Sequence, residues 1–116
     1  MRTYLIIISL FIILCIQSNA QDYSVVFYSG RNNTQDIYML KKGSLKPVNL
    51  THNSAKDNCP AISPDGKQIV FLSDRNGNQE IYTMNIDGSD VKQLTNSAES
   101  KEHPSFSPDG KQIIFI

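Results

Sequence analysis

Short runs of apolar residues separated by turn residues fill the chain from residue 23 onward, and they predict β-strands. The clearest examples are 60–63, 67–72, 79–85 and 90–95. Runs of four to seven residues rich in β-branched and aromatic types, bounded by Gly, Asn, Asp and Pro, are typical of strands. Because no stretch after the N-terminal segment keeps an apolar period of 3.6 residues, helices are not expected there.

The same tetrapeptide occurs twice and predicts two tight turns. In Ser-Pro-Asp-Gly, the proline suits a φ near −65° and the glycine suits a positive φ. An aspartate that recurs at one turn position is expected to bond its own backbone rather than to act in catalysis. We therefore interpret eight residues as structural turns: Ser63, Pro64, Asp65, Gly66, Ser107, Pro108, Asp109 and Gly110.

The turns belong to an internal repeat of 44 residues. Aligning 29–72 on 73–116 gives 17 identities in 44 positions, where unrelated segments would give roughly 3. Each unit carries four strand signals, named a (60–63), b (67–72), c (79–85) and d (90–95) in the complete unit, and hairpin turns join them into an antiparallel meander.

Four-stranded meanders that repeat every 40–50 residues predict a β-propeller. A two-sheet sandwich is the alternative, but it does not need a strict repeat. The predicted fold is therefore all-β, an incomplete β-propeller with four-stranded antiparallel blades. Blade one holds strands b, c and d at 23–50, a whole blade covers 59–95, and a third blade begins at 103–116.

The first 20 residues have the pattern of a secretory signal peptide. Arg2 precedes an apolar segment at 4–16, and Ser18 and Ala20 are small residues before a cut at Gln21. The apolar segment is short for a bilayer span, so an uncleaved anchor is the weaker alternative. We predict cleavage before Gln21, no stable membrane span afterwards, and a partial propeller at 21–116 that is periplasmic or secreted.

Composition excludes several classes of partner and scaffold. Eleven Lys and Arg balance eleven Asp and Glu, and loss of Arg2 with the signal leaves ten against eleven. This balance argues against nucleic acid, which needs a basic surplus. Because Cys15 lies in the signal, Cys59 is the single cysteine of the mature chain and cannot form an intramolecular disulfide.

The reactive residue types form no recognisable catalytic or metal site. His52 and His103 have no partner at a known metal-ligand spacing. Cys59 and His103 are repeat equivalents, with no third group to orient a catalytic pair. Gly-x-Ser-x-Gly is absent, so the chain lacks a peptidase nucleophile elbow. We predict no catalytic, cofactor-binding or metal-binding residues and no enzymatic activity.

Variable polar loops predict a recognition surface. In a four-stranded meander, the d–a and b–c connections emerge on one face, and a rigid scaffold with differing loops at one end is suited to binding. The alternative is that these loops are merely solvated. The candidate partner-binding residues are Arg31, Asn32, His52, Asp57, Arg75, Asn76, Glu99, Lys101 and Glu102.

These motifs resemble the TolB-type β-propeller repeat. The resemblance rests on 104–111 (Pro-Ser-Phe-Ser-Pro-Asp-Gly-Lys), 73–82 (Ser-Asp-Arg-Asn-Gly-Asn-Gln-Glu-Ile-Tyr), 84–89 (Met-Asn-Ile-Asp-Gly-Ser) and 94–96 (Leu-Thr-Asn). It implies an exported, non-enzymatic module that binds a protein or cell-envelope component, as TolB binds a peptidoglycan-associated lipoprotein. Similar repeats in prolyl-oligopeptidase-like serine peptidases imply the alternative, a propeller whose catalytic domain is missing here.

The chain departs from that family in its extent. It shows no trace of TolB's separate N-terminal domain, and the repeat stops in mid-blade at Ile116. We expect the beginning of a longer protein or a truncated gene model. Because unpaired sheet edges bind other chains, we also expect 21–116 alone not to be a stable monomer.

Overall fold

The computed structural model describes residues 17–18, 24–31 and 33–116, which form strands and turns without a helix. The predicted signal at 1–20 lies outside these residues, apart from 17 and 18. The strands are β1 (Gln17–Ser18), β2 (Val25–Arg31), β3 (Thr34–Leu40), β4 (Val48–Asn49), β5 (Asp57–Ile62), β6 (Gln68–Ser73), β7 (Glu80–Asn85), β8 (Lys92–Gln93), β9 (Ser105–Phe106) and β10 (Ile113–Ile114).

The strands form three antiparallel sheets in which chain neighbours are also sheet neighbours. The first sheet has the order β1-β2-β3-β4, the second β5-β6-β7-β8, and the third holds β9 and β10. The second sheet corresponds to the complete predicted unit, strands a to d. In the first sheet, β1 stands at the position of strand a, with Gln17 opposite Val26 and Ser18 opposite Val25.

The observed bounds of strands a and d differ most from the predicted ones. Strand a of the second sheet begins at Asp57 instead of 60, because a bulge between Asn58 and Ala61 lets the chain pair on both sides of Pro60. Cys59, within the bulge, has a φ of 48°. Strand d is reduced to two residues, β8, in which Lys92 and Gln93 pair with Thr83 and Tyr82 at the sheet edge.

The middle sheet is buried on both faces, and alternate residues of β6 serve the two cores. Ile69 and Phe71 join the core shared with the first sheet, together with Val26, Ile37 and Met39. Their neighbours in β6, Val70 and Leu72, join a second core with Ala61 and Ile81, against which Phe106 and Ile113 of the third sheet pack. Each such buried side chain contributes about 1.5–3 kcal/mol.

The third sheet leaves one long edge open within the described residues. β10 pairs with β9, and backbone bonds between Glu102 and Ile116 extend this pairing. No described strand pairs with the other side of β10. The side chains of Ile114, Phe115 and Ile116 are exposed, whereas their repeat equivalents Val70, Phe71 and Leu72 are buried. The structure contains no helix, within the described ranges, of the length and apolarity needed to cross a membrane.

Candidate functional site

The connections between strands b and c and between strands d and a form one surface, here called the loop face. Among the described residues it comprises 33, 50–56, 74–79 and 94–104. Its loops are fastened to the sheets by buried or half-buried polar side chains, and these contacts give the surface its shape.

The loop after β4 is held by a carboxylate at the start of β3. The Asp36 carboxylate accepts hydrogen bonds from the Thr51 hydroxyl at 3.2 Å, the Asn49 amide at 3.0 Å and the Asn53 backbone N–H at 3.4 Å. Thr51 Oγ1 in turn accepts the Ile37 N–H at 3.0 Å. The d–a loop is therefore tied to strand c of its own sheet.

The next repeat uses the same arrangement with a longer carboxylate. Glu80 accepts the Thr95 hydroxyl and, at 2.9 Å, the Ser97 N–H, while Thr95 Oγ1 accepts the Ile81 N–H at 2.9 Å. Lys101 places its ammonium 3.0 Å from Glu80 Oε2, and both side chains are buried. The Thr95 hydroxyl, the Ser97 N–H and Lys101 together hold the pKa of Glu80 below its usual value of 4.5 against the opposing effect of burial.

A buried ion pair joins the two kinds of loop in the middle sheet. Asp57 is 0% exposed, and its carboxylate lies 3.1 Å from Arg75 Nη2 and accepts the Asn53 side-chain amide at 2.7 Å. The Arg75 guanidinium lies over the rings of Tyr82 and Phe71, at 4.9 and 5.4 Å from their centroids. At these distances the ring faces attract the guanidinium electrostatically.

The predicted partner-binding residues occupy different environments. His52, Asn76, Glu99 and Glu102 are exposed, and the Arg75 side chain is 24% exposed. Asn32 and the side chain of Arg31 lie outside the described residues.

Two of the nine require a correction of position. Asp57 is fully buried, and Lys101 is 3% exposed. Each charge is buried because it has a partner, Arg75 for Asp57 and Glu80 for Lys101. Asp57 and Lys101 therefore brace the loop face from beneath, and the partner-binding role of the exposed residues stays a prediction.

Sequence reasoning missed the residues that fix the loops, Asp36 and Glu80. A signal was present: each repeat has an acidic residue at the start of strand c and a Leu-Thr pair at the end of strand d, at 50–51 and 94–95. A repeated carboxylate and hydroxyl at constant spacing point to a repeated hydrogen bond.

The opposite surface, here called the turn face, carries the two Ser-Pro-Asp-Gly turns. In the first, the Ser63 hydroxyl donates to Asp65 Oδ1 at 2.6 Å and accepts the Gln68 N–H at 2.9 Å, and Gly66 has a φ of 73°. In the second turn, Ser107 makes the same two bonds, donating to Asp109 and accepting the Gln112 N–H. Hydrogen bonds from these serines, and then from the Lys67 and Lys111 N–H groups, lower the pKa of both aspartates below 3.8.

The loop face has a depression of about 330 Å³ beside the buried ion pair. Asn53, Ser54, Ala55, Asp74 and Arg75 line it. Within the part of the chain that the structure describes, no three His, Cys, Asp or Glu side chains are grouped so that they could hold a metal ion. The depression instead offers hydrogen-bond donors and acceptors.

Comparison with known proteins assigns the family. The model of the TolB β-propeller domain matches residues 19–116. The chain belongs to the TolB β-propeller family. The prediction of an all-β, incomplete TolB-type propeller is thereby confirmed.

Solved TolB structures have the same fold. A protein described as TolB from Agrobacterium tumefaciens is 31% identical, with a TM-score of 0.74 over 85% of this chain and 39% of that one. TolB from Acinetobacter baumannii is 25% identical, with a TM-score of 0.73 over 90% of this chain and 26% of that one. The chain thus spans well under half the length of these TolB proteins. Curated protein sequences gave no significant match.

Proposed function

We propose that this chain is an exported, non-enzymatic β-propeller module that binds a protein or a component of the cell envelope through its loop face. The observation that carries the proposal is the fastening of the d–a loops by Asp36 and Glu80. Because these loops differ in sequence and are tied to the sheets, they form a preorganised surface of the kind that rigid scaffolds use for recognition.

Family membership supports both the binding role and the exported location. The family model covers the chain from residue 19, and the sequence before it has the pattern of a secretory signal. Export would place the loop face in the periplasm or outside the cell, where an envelope partner is accessible. N-terminal sequencing of the exported protein would then begin at Gln21.

A photo-crosslinking residue at two exposed positions tests the binding role. Asn78 lies on the loop face, and Lys67 lies on the turn face as the matched control. We expect a defined crosslinked product from position 78 and not from position 67, and the purified partner identified from it should bind the purified chain. Equal products from both positions, or no binding by the purified partner, would contradict the proposal.

A further inference from the structure

We propose that the depression lined by Asn53, Ser54, Ala55, Asp74 and Arg75 binds an amide group of a protein partner, either a backbone peptide or an Asn or Gln side chain. This inference rests on the proposed function and specifies the chemistry that the loop face recognises. Four properties of the depression carry it: its rigid walls, its hydrogen-bonding groups, its charge and an aspartate that the preceding repeat lacks.

Hydrogen bonds between the two loops hold the walls in place. The Lys56 N–H donates to Asp74 Oδ1 at 2.8 Å, which joins the d–a loop to the b–c hairpin. The Asn53 side chain braces the same loop, since its Oδ1 accepts the Ala55 N–H at 2.7 Å and its amide donates to Asp57. A depression with fixed walls binds without a large ordering cost.

Arg75 supplies the donor. A guanidinium has five N–H groups. Nε donates to the Ser73 hydroxyl at 2.9 Å and Nη2 to Asp57 at 3.1 Å, while no described residue accepts from Nη1. The Arg75 side chain is 24% exposed and lines the depression, so it can donate to a carbonyl oxygen placed there.

Asp74 supplies the acceptor beside this donor. Its Oδ1 accepts the Lys56 N–H, and no donor among the described residues bonds Oδ2. Among the lining residues, Arg75 is neutralised by Asp57 and the Asp74 carboxylate adds one negative charge, which disfavours a carboxylate or phosphate next to it. A donor and an acceptor side by side match the carbonyl and the N–H of an amide.

Comparison between repeat units shows that residues of this depression are not shared by every blade. The position equivalent to Asp74 in the preceding unit is Gly30, although the arginine that follows is present in both units as Arg31 and Arg75. Ser54 likewise corresponds to Ala98 in the following unit. The preceding hairpin forms without the carboxylate and pairs as far as Arg31 and Thr34, whereas the hairpin that contains Asp74 ends its pairing at Ser73 and Glu80. Asp74 and the wider hairpin end beside it are therefore features of one blade.

Saturation-transfer NMR on the full chain tests the inference, with N-acetylglycine N-methylamide as the probe. We expect saturation transfer from the wild-type protein to the probe. Ser54→Trp fills the depression and should abolish this transfer. Ala98→Trp, the repeat-equivalent control, should leave it unchanged. Asp74→Asn keeps the acceptor for Lys56 but replaces Oδ2 with a donor, so binding should weaken roughly fivefold, the loss of one hydrogen bond. Far-UV circular dichroism checks that each variant is folded.

Two results would overturn the inference. One is saturation transfer to the amide probe that stays the same in both Ser54→Trp and Asp74→Asn. The other is saturation of acetate or methylammonium as strong as that of the amide and equally sensitive to Ser54→Trp. The test needs no natural partner. A partner crosslinked at position 78 without amide binding would therefore refute the inference alone, and amide binding without any partner would refute the proposed function alone.

Discussion

At the scale of single residues, Tyr82 carries a polar atom that the fold leaves unsatisfied. Its ring stacks on Phe71 at 5.8 Å between centroids and lies beneath the Arg75 guanidinium. The hydroxyl is buried and, among the described residues, makes no hydrogen bond of ordinary distance and angle. The Asn76 side chain, whose amide donates to Gln93, only partly offsets the effect of burial on the pKa of this hydroxyl. Burial raises the pKa of Tyr82 above its ordinary value of 10.0.

Replacing Tyr82 by phenylalanine is expected to leave stability unchanged or to increase it by about 1 kcal/mol, because the variant removes a buried group that lacks a partner. Urea unfolding monitored by circular dichroism measures the change. Tyr38→Phe, at the half-buried equivalent position, is the control and should shift the midpoint less. A loss of stability in Tyr82→Phe would show that the hydroxyl has a partner.

The turn aspartates predict a loss of stability in acid. The folded-state pKa values of Asp65 and Asp109 are lowered, so their contribution is present above pH 3.8, the ordinary value, and is lost as the pH falls through the folded-state values. Melting temperatures measured between pH 6 and 2 should decline less steeply in Asp65→Asn than in wild type. A wild-type slope in Asp65→Asn would contradict the assignment.

At the scale of elements, a buried ion pair and an exposed one can be compared directly. Lys101 and Glu80 are buried and join the loop before β9 to strand β7, whereas Lys92 and Asp90 are more than half exposed. Removal of one buried partner leaves a charge in an apolar setting, but an exposed pair is worth little.

Lys101→Met is therefore expected to lower the melting temperature by about 5 °C or more, and Lys92→Met by less than about 3 °C. Calorimetry on both variants gives the comparison. Equal shifts would mean that the Glu80 carboxylate is satisfied by Thr95 and Ser97 without the lysine.

Because the first and second sheets are in contact, alanine should destabilise the protein more at one turn glycine than at another. Gly88 has a φ of 87°, and a Cβ there would lie 2.7 Å from the Leu50 carbonyl oxygen; Gly77 has a φ of 98° and open space around it. Gly77→Ala should cost about 1 kcal/mol of backbone strain, and Gly88→Ala at least twice that because the backbone of Leu50 must also move. Chemical denaturation distinguishes the two, and equal costs would contradict the packing of the sheets.

Most of the strands and turns could be predicted from the sequence because the signals for them are local. The Ser-Pro-Asp-Gly turns and the apolar run of β6 each determine their own conformation. The burial of Asp57 and Lys101 could not be predicted in this way, since it depends on partners 18 and 21 residues away in the chain. The bulge at Cys59 was equally hidden, because a residue before proline favours extended backbone.

At the scale of the whole molecule, the described sheets differ in how well their edges are covered. β6 is paired on both sides, with β5 and β7, whereas β10 has β9 on one side only. The exposed run at 114–116 is apolar and uncharged, with high β-propensity, and Ile116 is 82% exposed. Such an edge is a template for another strand.

We therefore expect residues 21–116 to associate with one another in solution, and Ile114→Lys to reduce that association, because a charged side chain on an edge strand opposes pairing. Sedimentation velocity at several concentrations measures the distribution of species. Leu45→Lys introduces the same charge at a residue that is 99% exposed and lies away from this edge, so it should leave the distribution unchanged. A concentration-independent monomer with a sharp thermal transition would show that the edge of β10 is protected, and equal effects of the two lysines would attribute the association to net charge.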